Sequence, residues 1–247
     1  MRAGHPWIFS RAIASGLDGA TPGEPVRVVT GSGRFVAVGY VNPRTTIAVR
    51  VVTLEDEALD ADLVARRVAR ALALRQRLLP GLSALRLLNG EGDGLPGVIA
   101  DRYGDFVVCQ FLTAGAAHLA DAVAAALVAQ VAPRGIYERS EGGVRAEEGI
   151  DGRRGVLTGE EPPPRVAIEE YGVRFLVDVL HGQKTGFFLD QRESRVRVRA
   201  LAAGQRILNA FSYTGAMSIA AALGGAREVV SVDSSGPALA LAKEAWE

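Results

Sequence analysis

The residues best placed to do chemistry are Asn209-Ala-Phe-Ser-Tyr-Thr-Gly215 and, 18 positions after that glycine, Asp233. The segment follows a short apolar run and precedes an alanine-rich one. The spacing predicts strand 207–210, helix 215–223, strand 228–232 and a last helix 236–246, the opening of a doubly wound sheet. A turn leading into such a helix presents free backbone amides to an anion, and an acid closing the second strand can accept hydrogen bonds from a ribose. A dinucleotide needs several glycines there so that the backbone can approach the pyrophosphate. This turn has Gly215 alone, with Phe211 and Tyr213 ahead of it. S-adenosylmethionine (SAM) carries no phosphate and fits: carboxylate on the helix amides, ribose on Asp233, Asn209 facing the ligand. Phe211 and Tyr213 also read as core aromatics, and Asp233 as a cap for the helix begun by Asp-Ser-Ser-Gly-Pro. The combination favours a cofactor site.

Other elements must hold that turn. Residues 1–53 are short β-prone runs cut by Gly and Pro, the pattern of a small barrel or sandwich. Asp60–Leu79 has helical apolar spacing and a Pro80–Gly81 stop. Residues 84–180 read as a strand, a hairpin turning at Tyr103–Asp105, an alanine-rich helix, the strand Gly-Ile-Tyr-Glu-Arg-Ser, and a hairpin turning at Tyr171–Gly172. Glu141–Gly155 reads as a mobile glycine-rich loop, Pro162–Pro164 as a stiff break. His181 onward becomes helical near Asp190.

The bulk numbers bound the rest. The 247 residues are 48% hydrophobic and 23% charged with zero formal net charge, a globular composition large enough for a real core. No apolar run reaches the roughly 20 residues of a membrane span, and a cytoplasmic protein is expected, with no membrane partner. One cysteine, Cys109, leaves no disulfide framework and no cysteine zinc site, and no metal is expected. Cys109 lies in an apolar strand, where a thiol is usually inert. His5, His118 and His181 read as structural. Residues 1–50 carry Arg2, Arg11, Arg27, Arg34, Arg44 and Arg50 against Asp18 and Glu24, either a phosphate-facing surface or a solvated basic face.

Five ordered blocks then carry a resemblance: Gly4–Ile13 (GHPWIFSRAI), Glu91–Val108 (EGDGLPGVIADRYGDFVV), Val177–Arg195 (VDVLHGQKTGFFLDQRESR), Leu208–Ile219 (LNAFSYTGAMSI) and Val229–Ser235 (VVSVDSS). The chain resembles bacterial large-subunit rRNA cytosine-5 methyltransferases that use SAM. The resemblance implies a multi-domain α/β fold: an N-terminal PUA-like β-barrel that binds RNA (1–55), a linker helix (56–81), an α+β middle domain (82–180), and the start of a Rossmann-like SAM methyltransferase domain (181–247). It implies that Asn209, Phe211, Tyr213, Gly215, Asp233, Gln191 and Asp190 hold SAM. Lys184, Thr185, Gly186 and Arg192 would line the mouth between the middle and SAM domains. Arg192, Arg195 and Arg199, at helical spacing, could meet rRNA phosphates or form a solvated face.

In that family a cysteine thiolate adds to C6 of cytosine so that C5 can take the methyl group. The Asp-Pro-Pro segment and the cysteine lie further along than residue 247. The expectation is therefore a fragment with no catalytic residue of its own, inactive alone, slightly short at the N-terminus, with a half-sheet lacking a stable partner; a homodimer stays open. A non-catalytic RNA-binding remnant with a vestigial SAM fold is the alternative. A nicotinamide-dependent oxidoreductase is disfavoured by the glycine-poor turn.

Overall fold

The computed structural model describes residues 5–246; Met1–Gly4 and Glu247, with them Arg2 of the basic set and Gly4 of the first block, lie outside the described residues. The chain divides into two compact units, residues 1–81 with 86–161, and residues 82–85 with 162–247.

Unit 1 begins with Trp7–Phe9 (β1), Pro25–Val29 (β2), Phe35–Val41 (β3) and Ile47–Thr53 (β4), in the order β1-β4-β3-β2. Every pairing is antiparallel. The valine and isoleucine runs suit the pleat, and β3 and β4 carry its buried side chains. The expected barrel is not closed: among the described residues β1 and β2 are the free edges of an open four-stranded sheet.

Ala61–Leu78 (α1) follows, its first turn capped by Asp60, whose carboxylate accepts from the Leu63 amide at 2.9 Å. Leu63, Val64, Val68 and Ala71 face inward. Next come Ala84–Asn89 (β5), Val98–Tyr103 (β6), Phe106–Phe111 (β7), Ala114–His118 (α2), Ala120–Val131 (α3), Gly135–Ser140 (β8), Gly143–Glu147 (α4) and Arg153–Gly159 (β9). The five strands form one mixed sheet in sequence order, with β7 and β8 parallel across the helical crossover. The β6–β7 hairpin turns at Gly104–Asp105, as the sequence predicts. The loop expected over 141–155 instead holds α4 and the start of β9. Arg145 is buried there with its guanidinium on the carbonyls of Phe111 and Asp151, and β9 pairs with β8 from Ser140–Arg153 onward. Both ties are long-range, so local composition carried no sign of them.

The two sheets of unit 1 are welded by buried polar groups. The Tyr40 hydroxyl meets the Pro96 carbonyl and, at 2.9 Å, Thr113 Oγ1. Asn42 Nδ2 donates to the Glu148 carbonyl and carboxylate at 2.9 and 2.8 Å. Arg50 reaches Glu148 at 3.1 Å. A Cβ on Gly115 would stand 1.9 Å from the Tyr40 ring, so that crossing tolerates only glycine.

Unit 2 opens with the hairpin Val166–Glu170 (β10) and Val173–Val177 (β11). Its turn residues Tyr171 and Gly172 have φ of 49° and 74°, as a primed hairpin turn requires. Arg192–Leu201 (α5), Arg206–Ala210 (β12), Ala216–Leu223 (α6), Glu228–Val232 (β13) and Gly236–Trp246 (α7) complete it. β12 and β13 pair in parallel, Leu208 opposite Val230. The hairpin 166–177, placed by the sequence reading in the middle domain 82–180, clusters instead with residues 162–247. Its inner residues Ile168 and Phe175 are buried, and its Glu170 is gripped by α5.

Candidate cofactor site

The turn between β12 and α6 runs through unusual backbone. Phe211, Tyr213 and Gly215 have φ of 59°, 48° and 75°. Bulky residues held in the left-handed region cost about 1–3 kcal/mol each and persist only where their surroundings over-determine them. For Tyr213 those surroundings are visible. Its amide donates to Asp233 Oδ2 at 2.8 Å. Its hydroxyl accepts from the Gln183 amide at 2.7 Å and donates to the Gly186 carbonyl at 3.1 Å. Its ring meets Phe188 edge-on, centroids 5.4 Å apart. Tyr213 thus staples the 182–188 loop to the turn. A Cβ on Gly182 would lie 2.4 Å from the Asp178 carbonyl oxygen and 2.6 Å from that hydroxyl, which is why the loop needs a glycine there.

Asp233 closes β13 and also accepts from the Ser235 amide at 2.8 Å. The Ser235 amide first, then that of Tyr213, hold its carboxyl below the usual carboxylate range. An ionised carboxylate has about four acceptor positions, so room remains for a diol. Gly215 caps α6 without a side-chain bond, leaving first-turn amides available to an anion. Asn209 lies at the end of β12, its Nδ2 donating to Ser218 Oγ at 2.8 Å.

These groups enclose a cavity of about 460 Å³. Of the expected cofactor residues, Gln191, Asn209, Phe211, Tyr213 and Asp233 line it. Ser212 and Thr214 line it too, and their hydroxyl oxygens are buried without a hydrogen-bond partner among the described residues. Gln183, Phe188 and Met217, also on its wall, were missed at the level of sequence. The first two stood inside the Gly-Gln-Lys-Thr-Gly-Phe-Phe block, but nothing local says that its loop folds back on the turn.

Of the other expected residues only Arg195 reaches the cavity. Lys184 and Asp190 are an exposed ion pair at 3.1 Å, the ammonium 4.4 Å from the Phe188 ring, and neither lines the cavity. Thr185 is fully buried. Arg192 and Arg195 are buried as well. Arg192 donates to the Ala84 carbonyl at 2.8 Å, and Arg195 grips both Glu170 oxygens at 2.7 and 2.8 Å while bordering the cavity. Phe187 and Phe175 flank the Arg195 guanidinium at 4.6 and 5.7 Å. The three arginines at helical spacing, open between an RNA face and a solvated one, therefore split, Arg192 and Arg195 turned inward and Arg199 exposed. Glu170 arrives from the hairpin, beyond the reach of a helical-period argument.

Cys109 is fully buried, and burial first, then Asp101 and Glu138, push its thiol well above the ordinary value. It offers no thiolate. His5 and His181 are exposed, His181 with Nδ1 3.6 Å from Asp178. Among the described residues no cluster of His, Cys, Asp or Glu is arranged to hold a metal, and no helix is long and apolar enough to cross a membrane.

Comparison with known proteins agrees with this layout. Residues 1–54 match the family model of a PUA-like domain, and residues 150–245 that of an S-adenosylmethionine-dependent methyltransferase. The fold is that of a SAM methyltransferase of Streptococcus mutans, 27% identical with a TM-score of 0.83 over 99% of this chain and 63% of that one. A second structure, a methyltransferase complexed with SAH, aligns at 27% identity and TM-score 0.84 over 99% of this chain and 62% of its own. More specifically, the chain is 44% identical over 243 residues to ribosomal RNA large subunit methyltransferase I of Citrobacter koseri, covering 97% of this chain and 61% of the relative. It is 46% identical over 247 residues to the protein of that name from Aliivibrio fischeri, covering 98% and 62%. The chain thus spans about three fifths of the length of these curated relatives.

Proposed function

We propose that unit 2 binds SAM and that the protein serves SAM-dependent methylation of large-subunit ribosomal RNA. One observation carries this reading: a cavity bounded by an uncapped helix start, a carboxylate with spare acceptor positions, and two buried hydroxyls without partners among the described residues. Those donors and acceptors match a zwitterionic amino acid joined to a nucleoside. The α6 amides and Thr214 would take its carboxylate, Asp233 the ribose diol, and Phe188 and Met217 would wall the adenine. SAM supplies an electrophilic methyl group when bound. A dinucleotide would need backbone approach at Phe211 and Tyr213, where side chains stand.

The target atom we infer is C5 of cytosine, from the resemblance set out above. C5 is a poor nucleophile until a thiolate adds to C6, and the target base must be splayed out of any stack to be reached. That thiolate is not Cys109. The 247 residues alone are accordingly expected to bind cofactor without transferring methyl groups to RNA.

Isothermal titration of the 247-residue chain with SAM and, separately, NADH tests the first step. Saturable SAM binding, reduced at least tenfold in Asp233→Ala and absent for NADH, is the expected result. Equal binding of NADH, or no SAM binding by a folded chain, would overturn it.

A further inference from the structure

The proposed function leaves unused an arginine-rich stripe in unit 1. Arg66, Arg70 and Arg77 on α1 lie within about 40° of one another at 100° per residue, all three exposed, with Arg67 half-buried beside them. They border two adjoining hollows of about 630 and 560 Å³ that share Arg67 and Arg70. Four carboxylates stand on the same walls, so net charge depends on pairing. Glu57 is taken by Arg66 at 2.5 Å and Asp93 by Arg75 at 2.6 Å. Glu91 accepts from Trp7 Nε1 at 2.8 Å and lies 3.4 Å from Arg50. Glu55 is left without an ion pair among the described residues. Against it stand Arg67, Arg70 and Arg77, none with a carboxylate partner among them. Arg67 donates to the Val52 carbonyl at 3.2 Å, and its Nε has no acceptor among the described residues.

A second, independent feature meets the second hollow at His5. His5 stands two residues before Trp7, the first residue of the edge strand β1, and its ring packs near those of Trp7 and Phe9. The His5 ring lies 5.4 Å from Trp7, edge-on, and 6.4 Å from Phe9. His5 is exposed and lines the hollow, Phe9 is 45% exposed, and Trp7 is pinned by Glu91 with Arg50 over its ring at 5.5 Å.

We propose that this groove seats single-stranded RNA, with Arg67, Arg70 and Arg77 on successive phosphates and the His5 and Phe9 rings as a stacking platform. Cations tracking a backbone beside aromatic faces are what a single strand of unspecified sequence requires. The exposed Leu74 between Arg70 and Arg77 offers apolar contact to a sugar or base. The inference rests on the RNA reading above and assigns it to a surface distinct from the cofactor cavity.

The test is fluorescence anisotropy of a labelled oligouridine RNA of about 12 nucleotides against the 247-residue chain, from about 50 to about 300 mM salt. For a single strand, each lost phosphate contact lowers the slope of log K on log salt by about 0.7. Arg70→Gln/Arg77→Gln is expected to reduce the slope by about 1.4 and affinity at least tenfold, with SAM binding and melting temperature unchanged. Phe9→Ala is expected to weaken binding about fivefold with the slope unaltered, because stacking releases no counterions. Arg197→Gln/Arg199→Gln on exposed α5 is expected to behave as wild type. A wild-type chain that binds RNA equally well after Arg70→Gln/Arg77→Gln, or that loses binding through Arg197 and Arg199, overturns the groove but keeps the RNA reading. No RNA binding by a folded wild-type chain overturns both. Displacement of the RNA by polyglutamate at equal charge concentration would reassign the stripe to an acidic protein segment.

Discussion

Asp233 shows how one side chain can hold a turn together and, on the function proposed above, also serve a ligand. Its two accepted amide bonds hold the turn and favour the ionised form. A carboxyl with its folded pKa depressed contributes stability in full above its unfolded value of about 3.9, and loses it as pH falls through the lower folded value. SAM affinity is therefore expected to be flat from about pH 7 to about pH 5 as far as Asp233 is concerned, and to drop only below about pH 4; a titration series in citrate buffers reads this. Asp233→Asn retains the shape but not the charge, and should flatten the acid limb while weakening binding. Tyr213 acts differently, through its neighbours. Removing its hydroxyl in Tyr213→Phe strands the Gln183 amide and the Gly186 carbonyl, at about 0.5–1.5 kcal/mol for each hydrogen bond. The expected signature is faster hydrogen exchange over residues 182–188 and a several-fold loss of SAM affinity, with the fold intact.

At the scale of elements, the hairpin β10–β11 and the helix α5 are locked by charge. Glu170, Arg192 and Arg195 are each less than a tenth exposed, and Arg195 spans both carboxylate oxygens. Breaking a buried pair from one side leaves an uncompensated charge and costs about 3–5 kcal/mol. Glu170→Ala is expected to lower the denaturation midpoint of unit 2 accordingly. Replacing both partners, as Glu170→Leu/Arg195→Met, should recover much of that loss because nothing charged remains to be solvated. Urea titration followed by backbone exchange in β10, β11 and α5 distinguishes the two. A loss in the double variant as large as in Glu170→Ala would show that the pair itself, not the stranded charge, holds the hairpin.

Over the whole molecule, the two units solve their burial problem differently. Unit 1 covers its sheets internally, with Tyr40, Asn42 and Glu148 closing the join between them. In unit 2 the parallel strands β12 and β13 keep Leu208, Val230 and Val232 between 45% and 67% exposed, and Phe211 is 92% exposed. Parallel sheets are normally covered on both faces. The chain on its own should therefore bind a hydrophobic dye such as ANS and scatter light increasingly with concentration. Leu208→Glu/Val230→Glu should suppress both without unfolding unit 1. An unaltered dye signal in that variant would place the sticky surface elsewhere.

What the sequence by itself determined is local in origin. Hydrophobic period and capping residues located α1, the hairpin turns at 104–105 and 171–172, and the β-α-β-α order after residue 205, because each depends on neighbours within a turn or two. The glycine-poor turn with Asp233 behind it marked the candidate cofactor site for the same reason, since strand, turn and acid belong to one supersecondary unit. Tertiary structure alone decided the rest. Arg192 and Arg195 face inward because Glu170 comes to meet them from a distant hairpin. Residues 143–159 are a helix and a strand because Phe111 and β8 offer partners that composition cannot reveal. The hairpin joined unit 2, the N-terminal sheet stayed open, and Gln183 and Phe188 reached the cavity through contacts that exist only once the chain has closed on itself.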